Sequence, residues 1–154
     1  MKLLKFFLFV PFLLLVNHCS RMQITPVNFA WPLESVFEVD STGTVQDQRY
    51  AFSFNALQLF AEEDSSNSFT SNRILRIIRG EKGYYYMTAE GFKNVYLFAP
   101  GESNFDLAEK VLIDEECISN PAFNQRTPFV ELIYNDGKSI FLSSTGIIEK
   151  GEAK

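Results

Sequence analysis

The sequence predicts a mainly β fold: a single small antiparallel barrel or sandwich built from hairpins, with one short helix. Residues 73–98 hold three short runs rich in Ile, Tyr, Phe and Val, separated at Gly80, Gly83 and Gly91. This pattern predicts three consecutive antiparallel strands. Residues 129–143 hold two more apolar runs around Asn135-Asp136-Gly137, a sequence that favours a tight hairpin turn. We expect about seven to nine strands in total.

The first third of the predicted domain contributes strands with one marked turn. Residues 33–39 predict a strand, and Asp40-Ser41-Thr42-Gly43 predicts a turn, with Asp at its first position and Gly at its fourth. Aromatic side chains at positions 50, 52 and 54 alternate with small ones, which is the period of a strand with one aromatic face. We expect Leu57 and Leu59 to continue that strand after a break near Asn55. The polar residues 61–72 predict a surface loop.

Residues 99–118 are the most ambiguous part of the chain. Ser103 and Asp106 resemble a capping box, and the apolar residues that follow fall on one helical face, so the pattern favours a short helix. The alternative is a strand over residues 110–114. Near the C-terminus, Thr145-Gly146 predicts a turn into a last strand over residues 147–150. The run 77–91 also resembles the run 132–146, which supports repeated antiparallel hairpins.

The N-terminus predicts export. Lys2 and Lys5 precede an apolar segment over residues 6–16 that is interrupted only by Pro11. This arrangement is typical of a secretory signal peptide, because a segment that spans a bilayer needs about 20 apolar residues. We therefore expect residues 1–18 to be removed from the mature protein.

The end of the signal segment, Val16-Asn17-His18-Cys19-Ser20, resembles the lipobox of bacterial lipoproteins. The resemblance implies that Cys19 is lipidated and becomes the first mature residue, anchored at a cell-envelope membrane (outer membrane or periplasmic face). Residues 19–32 would then be a tether, 33–150 a single β-rich domain, and 151–154 a frayed end. The alternative is ordinary signal-peptide cleavage, which would allow a disulfide between Cys19 and Cys117.

Composition excludes several classes of function. Without Lys2 and Lys5 the chain has 12 basic and 19 acidic residues, a net charge of −7, and no basic cluster that would bind nucleic acid. The one histidine, His18, precedes the expected cleavage point. The mature chain would then lack Ser-His-Asp catalysis and histidine-ligated metals. We expect no catalytic residues, no metal, no cofactor and no enzymatic activity.

Two functions remain, and aromatic residues supply the candidate sites. Tyr84, Tyr85 and Tyr86 form either an ordinary aromatic strand or a binding face, and Phe69 in the polar loop either folds back or contacts a partner. The first function is a non-catalytic protein-interaction module at the envelope. The second is a lipocalin-like carrier of a small apolar ligand. An external aromatic patch would favour the module, and a deep internal cavity would favour the carrier.

Overall fold

The computed structural model describes residues 30–48, 52–63, 73–101 and 104–148. The predicted signal peptide, the lipidation site Cys19, the loop residue Phe69 and the C-terminal residues 151–154 lie outside these ranges. Among the described residues, no helix is both long enough and apolar enough to cross a membrane.

The fold is mainly β and antiparallel, as predicted, and has the form of a small sandwich whose sheets do not close into a barrel. The larger sheet has the order β1-β4-β5-β6-β7, the second sheet has the order β11-β10-β9-β8, and β2 pairs only with β3. The bounds are β1 Ser35–Val39, β2 Thr44–Asp47, β3 Phe52–Asn55, α1 Leu57–Glu63, β4 Arg73–Arg79, β5 Tyr85–Ala89, β6 Asn94–Pro100, β7 Phe105–Leu112, β8 Ala122–Arg126, β9 Phe129–Tyr134, β10 Lys138–Ser143 and β11 Gly146–Ile148.

The larger sheet is the middle layer of the molecule, covered on both faces. Ile78, Tyr86 and Leu97 lie opposite one another on β4, β5 and β6, so they share one face. That face packs against the second sheet: a Cβ at Gly80 would meet both the Tyr86 ring, at 2.9 Å, and Val130 of β9, at 3.4 Å. A glycine is therefore needed where the two sheets approach.

The opposite face of the larger sheet carries Ile77, Met87 and Tyr96, which also lie opposite one another. Helix α1 covers this face: its Glu63 accepts a hydrogen bond from the Tyr96 hydroxyl at 2.7 Å, and the ring of its Phe60 lies 5.0 Å from the ring of Phe92 in the turn before β6. Successive residues such as Ile77 and Ile78 are both fully buried. Burial on both faces explains why residues 73–98 are apolar in continuous runs rather than in strict alternation.

The hairpin at residues 129–143 is confirmed, with the predicted bounds of both strands. The positive φ angles of Asn135 (44°) and Asp136 (60°) belong to a primed turn, and Gly137 N–H donates to the Tyr134 carbonyl across 3.2 Å. The Asn135 side chain also holds the preceding loop, because its Oδ1 accepts from Ser119 N–H at 2.6 Å and its Nδ2 donates to Asp114 at 2.9 Å.

The predicted turn at residues 40–43 is confirmed. The structure also shows where the two similar runs, 77–91 and 132–146, lie in the sheets. Gly43 N–H donates to the Asp40 carbonyl at 2.9 Å, and the Asp40 carboxylate accepts from the backbone of Thr42 and Thr44. The Thr42 hydroxyl also donates to this carboxylate and has the largest effect on it. Together with the backbone hydrogen bonds, it lowers the pKa of Asp40. The two similar runs occupy equivalent places in two sets of three consecutive antiparallel strands, β4–β6 in one sheet and β9–β11 in the other.

Three expectations about secondary structure are wrong. Within residues 99–118, where a helix was predicted, Phe105–Leu112 form strand β7, which begins five residues before the alternative strand over residues 110–114 and ends two residues short of it. Seven register pairs join β7 to β6, and this non-local ladder outweighs the local capping signal. The chain also has more strands than expected, since eleven lie within the described residues.

The predicted continuation of strand β3 through Leu57 and Leu59 is also wrong, because those residues open helix α1. Asn55 explains the change of structure, since its Oδ1 accepts the Leu57 N–H at 2.9 Å and so supports the first turn. The helix ends at Glu63, so it takes up the first three residues of the predicted 61–72 loop.

Candidate functional site

Five aromatic residues, Trp31, Phe54, Tyr85, Phe98 and Phe105, form a cluster on the larger sheet, beside the edge strand β7. Tyr85 and Phe98 are directly opposite in the β5–β6 ladder. The Phe105 ring contacts Tyr85 at 4.8 Å and Phe54 at 5.6 Å between centroids, both edge to face. Edge-to-face geometry is favourable for aromatic rings. We call these five residues the aromatic cluster.

Trp31 closes the buried end of the aromatic cluster. Its side chain is 2% exposed, and its ring meets Tyr85 at 5.5 Å, edge to face. Its backbone N–H donates to the Arg79 carbonyl at 2.8 Å, which ties the start of the described chain to β4. The Arg79 guanidinium lies 5.5 Å from the centre of the Tyr85 ring. The other four rings of the cluster are half-buried, so each keeps part of its surface accessible.

The three predicted tyrosines occupy different environments. Tyr85 lies in the aromatic cluster, and burial raises its pKa although Arg79 opposes that effect. Tyr84 is half-buried immediately before β5. Tyr86 is 4% exposed and faces the second sheet, so its ring is part of the core. Tyr85 and Met87 share a face, as strand geometry requires.

The environment of Tyr86 predicts loss of stability at alkaline pH. Burial, and then the neighbouring Tyr84, raise the pKa of Tyr86 to about 12. A folded-state pKa above the unfolded value of about 10 gives stability that is complete below pH 10 and lost as pH rises toward 12. We expect urea unfolding free energies to fall by up to about 1.4 kcal/mol per pH unit in that window. Tyr86→Phe should have a shallower decline. An equal decline in both proteins would contradict the assignment.

A second polar site lies where helix α1 ends on the larger sheet. Glu63 Oε1 accepts from Asn94 Nδ2 at 2.6 Å and from the Tyr96 hydroxyl at 2.7 Å, while its Oε2 accepts from Lys93 N–H at 2.7 Å. Burial and the hydrogen bond to Glu63 raise the pKa of Tyr96. Both carboxylate oxygens therefore fix the helix on the sheet, and this arrangement is structural.

A cleft of about 580 Å³ adjoins Glu63 and has a partly apolar lining that includes Phe60, Ile74 and Phe92. Arg73 lies at the cleft with its guanidinium 5.2 Å from the Phe60 ring centre. Cys117, a free thiol with φ of 83°, also lines it. Within the described ranges, no group of three or more His, Cys, Asp or Glu side chains is placed to hold a metal ion.

The tyrosine run identifies Tyr85, but most of the aromatic cluster is not evident from the sequence. Phe98 and Phe105 come together only because β5, β6 and β7 are neighbours, and the helix predicted for residues 99–118 would have separated them. The alternation of Phe105 and Leu107 with polar residues is the signal that could have identified β7.

Comparisons of the chain with protein-family models, with curated proteins and with solved structures found no match.

Proposed function

We propose that this chain is an exported protein, anchored to a bacterial envelope membrane through lipid on Cys19, whose β-sandwich domain is a non-catalytic protein-interaction module. The observation that carries the proposal is the aromatic cluster, in which Phe54, Tyr85, Phe98 and Phe105 are half-buried beside an exposed strand. Next to them, Leu107 is 53% exposed. Rigid aromatic rings that are partly accessible supply large contact areas at low entropic cost, as interface residues do.

The interior of the sandwich supports this proposal over the lipocalin-like carrier. A carrier of that kind encloses its ligand inside a closed barrel, and the two sheets here remain open. The space between them holds side chains such as Leu97, Val130 and Leu132, which are all at most 1% exposed. Close packing of this kind favours a surface interaction over an internal ligand.

Site-specific photo-cross-linking in the native membrane tests the proposal. A photoreactive residue in place of Leu107, beside the aromatic cluster, is expected to form a cross-linked product with one other protein. The same residue in place of Glu81, which is exposed in the turn between β4 and β5, is the matched control. Equal products from both positions, or none from Leu107, would contradict an interaction at the aromatic cluster.

A further inference from the structure

Strand β7 is an open edge of the larger sheet. It follows β6 as the last strand in the sheet order, and within the described part of the chain no strand is hydrogen-bonded to its other side, although β11 of the second sheet approaches it. Its residues from Asp106 to Lys110 are all exposed. An exposed edge strand presents backbone N–H and C=O groups that an extended segment of another protein can pair with.

The register of β7 decides which side chains an added strand would meet. Leu107 pairs with Phe98 and Lys110 with Tyr96, so these two side chains lie on the face of the aromatic cluster. Glu109 pairs with Leu97, and Asp106 with Ala99, so the two carboxylates lie on the opposite face. Neighbouring β6 residues Leu97 and Phe98 pair with Glu109 and Leu107, so Ala108 has no partner on β6. This unpaired residue forms a β-bulge between Asp106 and Glu109.

The two faces of this edge therefore differ in chemistry. On the aromatic-cluster face, Phe105 and Leu107 are apolar and partly accessible, and Lys110 is already paired with Glu62. On the other face, Asp106 accepts a hydrogen bond from Asn104, and Glu109 forms no ion pair within the described residues. A complementary strand would be apolar on the first face and basic on the second.

We propose that the partner adds an extended segment to β7, with apolar side chains against Phe105 and Leu107 and with Lys or Arg opposite Asp106 and Glu109. This inference rests on the proposed interaction function and specifies its mode. A second copy of this chain fits less well. In the antiparallel register that sets Leu107 of one copy opposite Ala108 of the other, Asp106 lies opposite Glu109, and like charges repel.

Binding of three synthetic ten-residue peptides tests the proposal. The first alternates Lys and Val, the second has the same composition with its lysines grouped at one end, and the third alternates Glu and Val. Each is used at a concentration at which it is monomeric, with the mature domain carrying ¹⁵N. We expect the alternating Lys–Val peptide to bind at least about fivefold more tightly than either control, as opposed charge pairs across strands allow. Amide shifts and slowed hydrogen exchange should centre on residues 105–111.

A charge-reversed variant, Asp106→Lys with Glu109→Lys, makes the test specific to β7. Both residues are exposed, so the fold should be retained. This variant should prefer the Glu–Val peptide over the alternating Lys–Val peptide. Equal binding of the grouped peptide, shifts centred on another surface, or an unchanged preference in the variant would overturn the proposal.

The two proposals fail in distinguishable ways. A protein cross-linked at position 107, combined with failure of all three peptides to bind β7, would overturn strand addition and leave the interaction function standing. Selective binding of the Lys–Val peptide to β7, with no protein cross-linked in the native membrane, would instead overturn the interaction function.

Discussion

Replacement of Leu97 by alanine is expected to lower the free energy of unfolding by about 3 kcal/mol. Leu97 is fully buried on β6, the strand between β5 and β7, and lies on the face that packs against the second sheet. Truncation removes the transfer free energy of the buried atoms and leaves a cavity that a close-packed sandwich cannot fill. Urea unfolding, followed by the fluorescence of the buried Trp31, measures the loss.

Leu107→Ala is the matched control for Leu97→Ala. Leu107 lies on the neighbouring strand and is 53% exposed, so its truncation should change stability by no more than about 0.5 kcal/mol. A loss below about 1 kcal/mol for Leu97→Ala would show that this side chain borders empty space. That outcome would contradict the packed interior and would restore the carrier of a small apolar ligand.

Replacement of Glu63 by alanine should cost about 3 kcal/mol, because three donors lose their acceptor at once. The most costly of them is the hydroxyl of Tyr96, a residue that is fully buried and cannot turn to solvent without local unfolding. The backbone N–H of Lys93 and the amide of Asn94 lose the same carboxylate. Urea unfolding measures this loss, and Glu63→Gln should recover part of it by keeping one acceptor.

The neighbouring residue Glu62 provides the control on the same helix. Its carboxylate pairs with Lys110, but both side chains are more than a third exposed. An exposed ion pair contributes at most about 1 kcal/mol, so Glu62→Ala should be nearly neutral. If Glu62→Ala and Glu63→Ala lower the free energy of unfolding equally, a change in helix content would explain both losses. The hydrogen bonds of Glu63 would then not be the cause.

Local signals predicted those elements whose structure is fixed by neighbouring residues. Asn135-Asp136-Gly137 supplies the backbone conformation of a hairpin turn, so strands β9 and β10 were placed correctly. The turn that starts at Asp40 was also placed correctly, because the Asp40 carboxylate accepts hydrogen bonds from the backbone of the residues that follow it. Strand β7 could not be placed this way, because its ladder with β6 competes with a local capping pattern and only the folded sheet decides between them.

The candidate site was predictable to a smaller extent. Alternation along the tyrosine run places Tyr85 and Tyr86 on opposite faces, but it does not indicate which face is covered by the second sheet. Phe54, Phe98 and Phe105 join Tyr85 through contacts between strands that are distant in the chain. The Glu63 network has the same origin, since α1 and β6 are about thirty residues apart in the sequence.

Native mass spectrometry of the protein, extracted gently from its own membranes, is the sharpest test of a lipid-anchored interaction module. We expect a chain that begins at Cys19, carries acyl groups and is bound to a second protein. An unmodified chain that starts elsewhere would contradict the anchor and reopen a disulfide between Cys19 and Cys117. A stoichiometric small-molecule adduct without any protein partner would contradict the interaction module and favour the carrier.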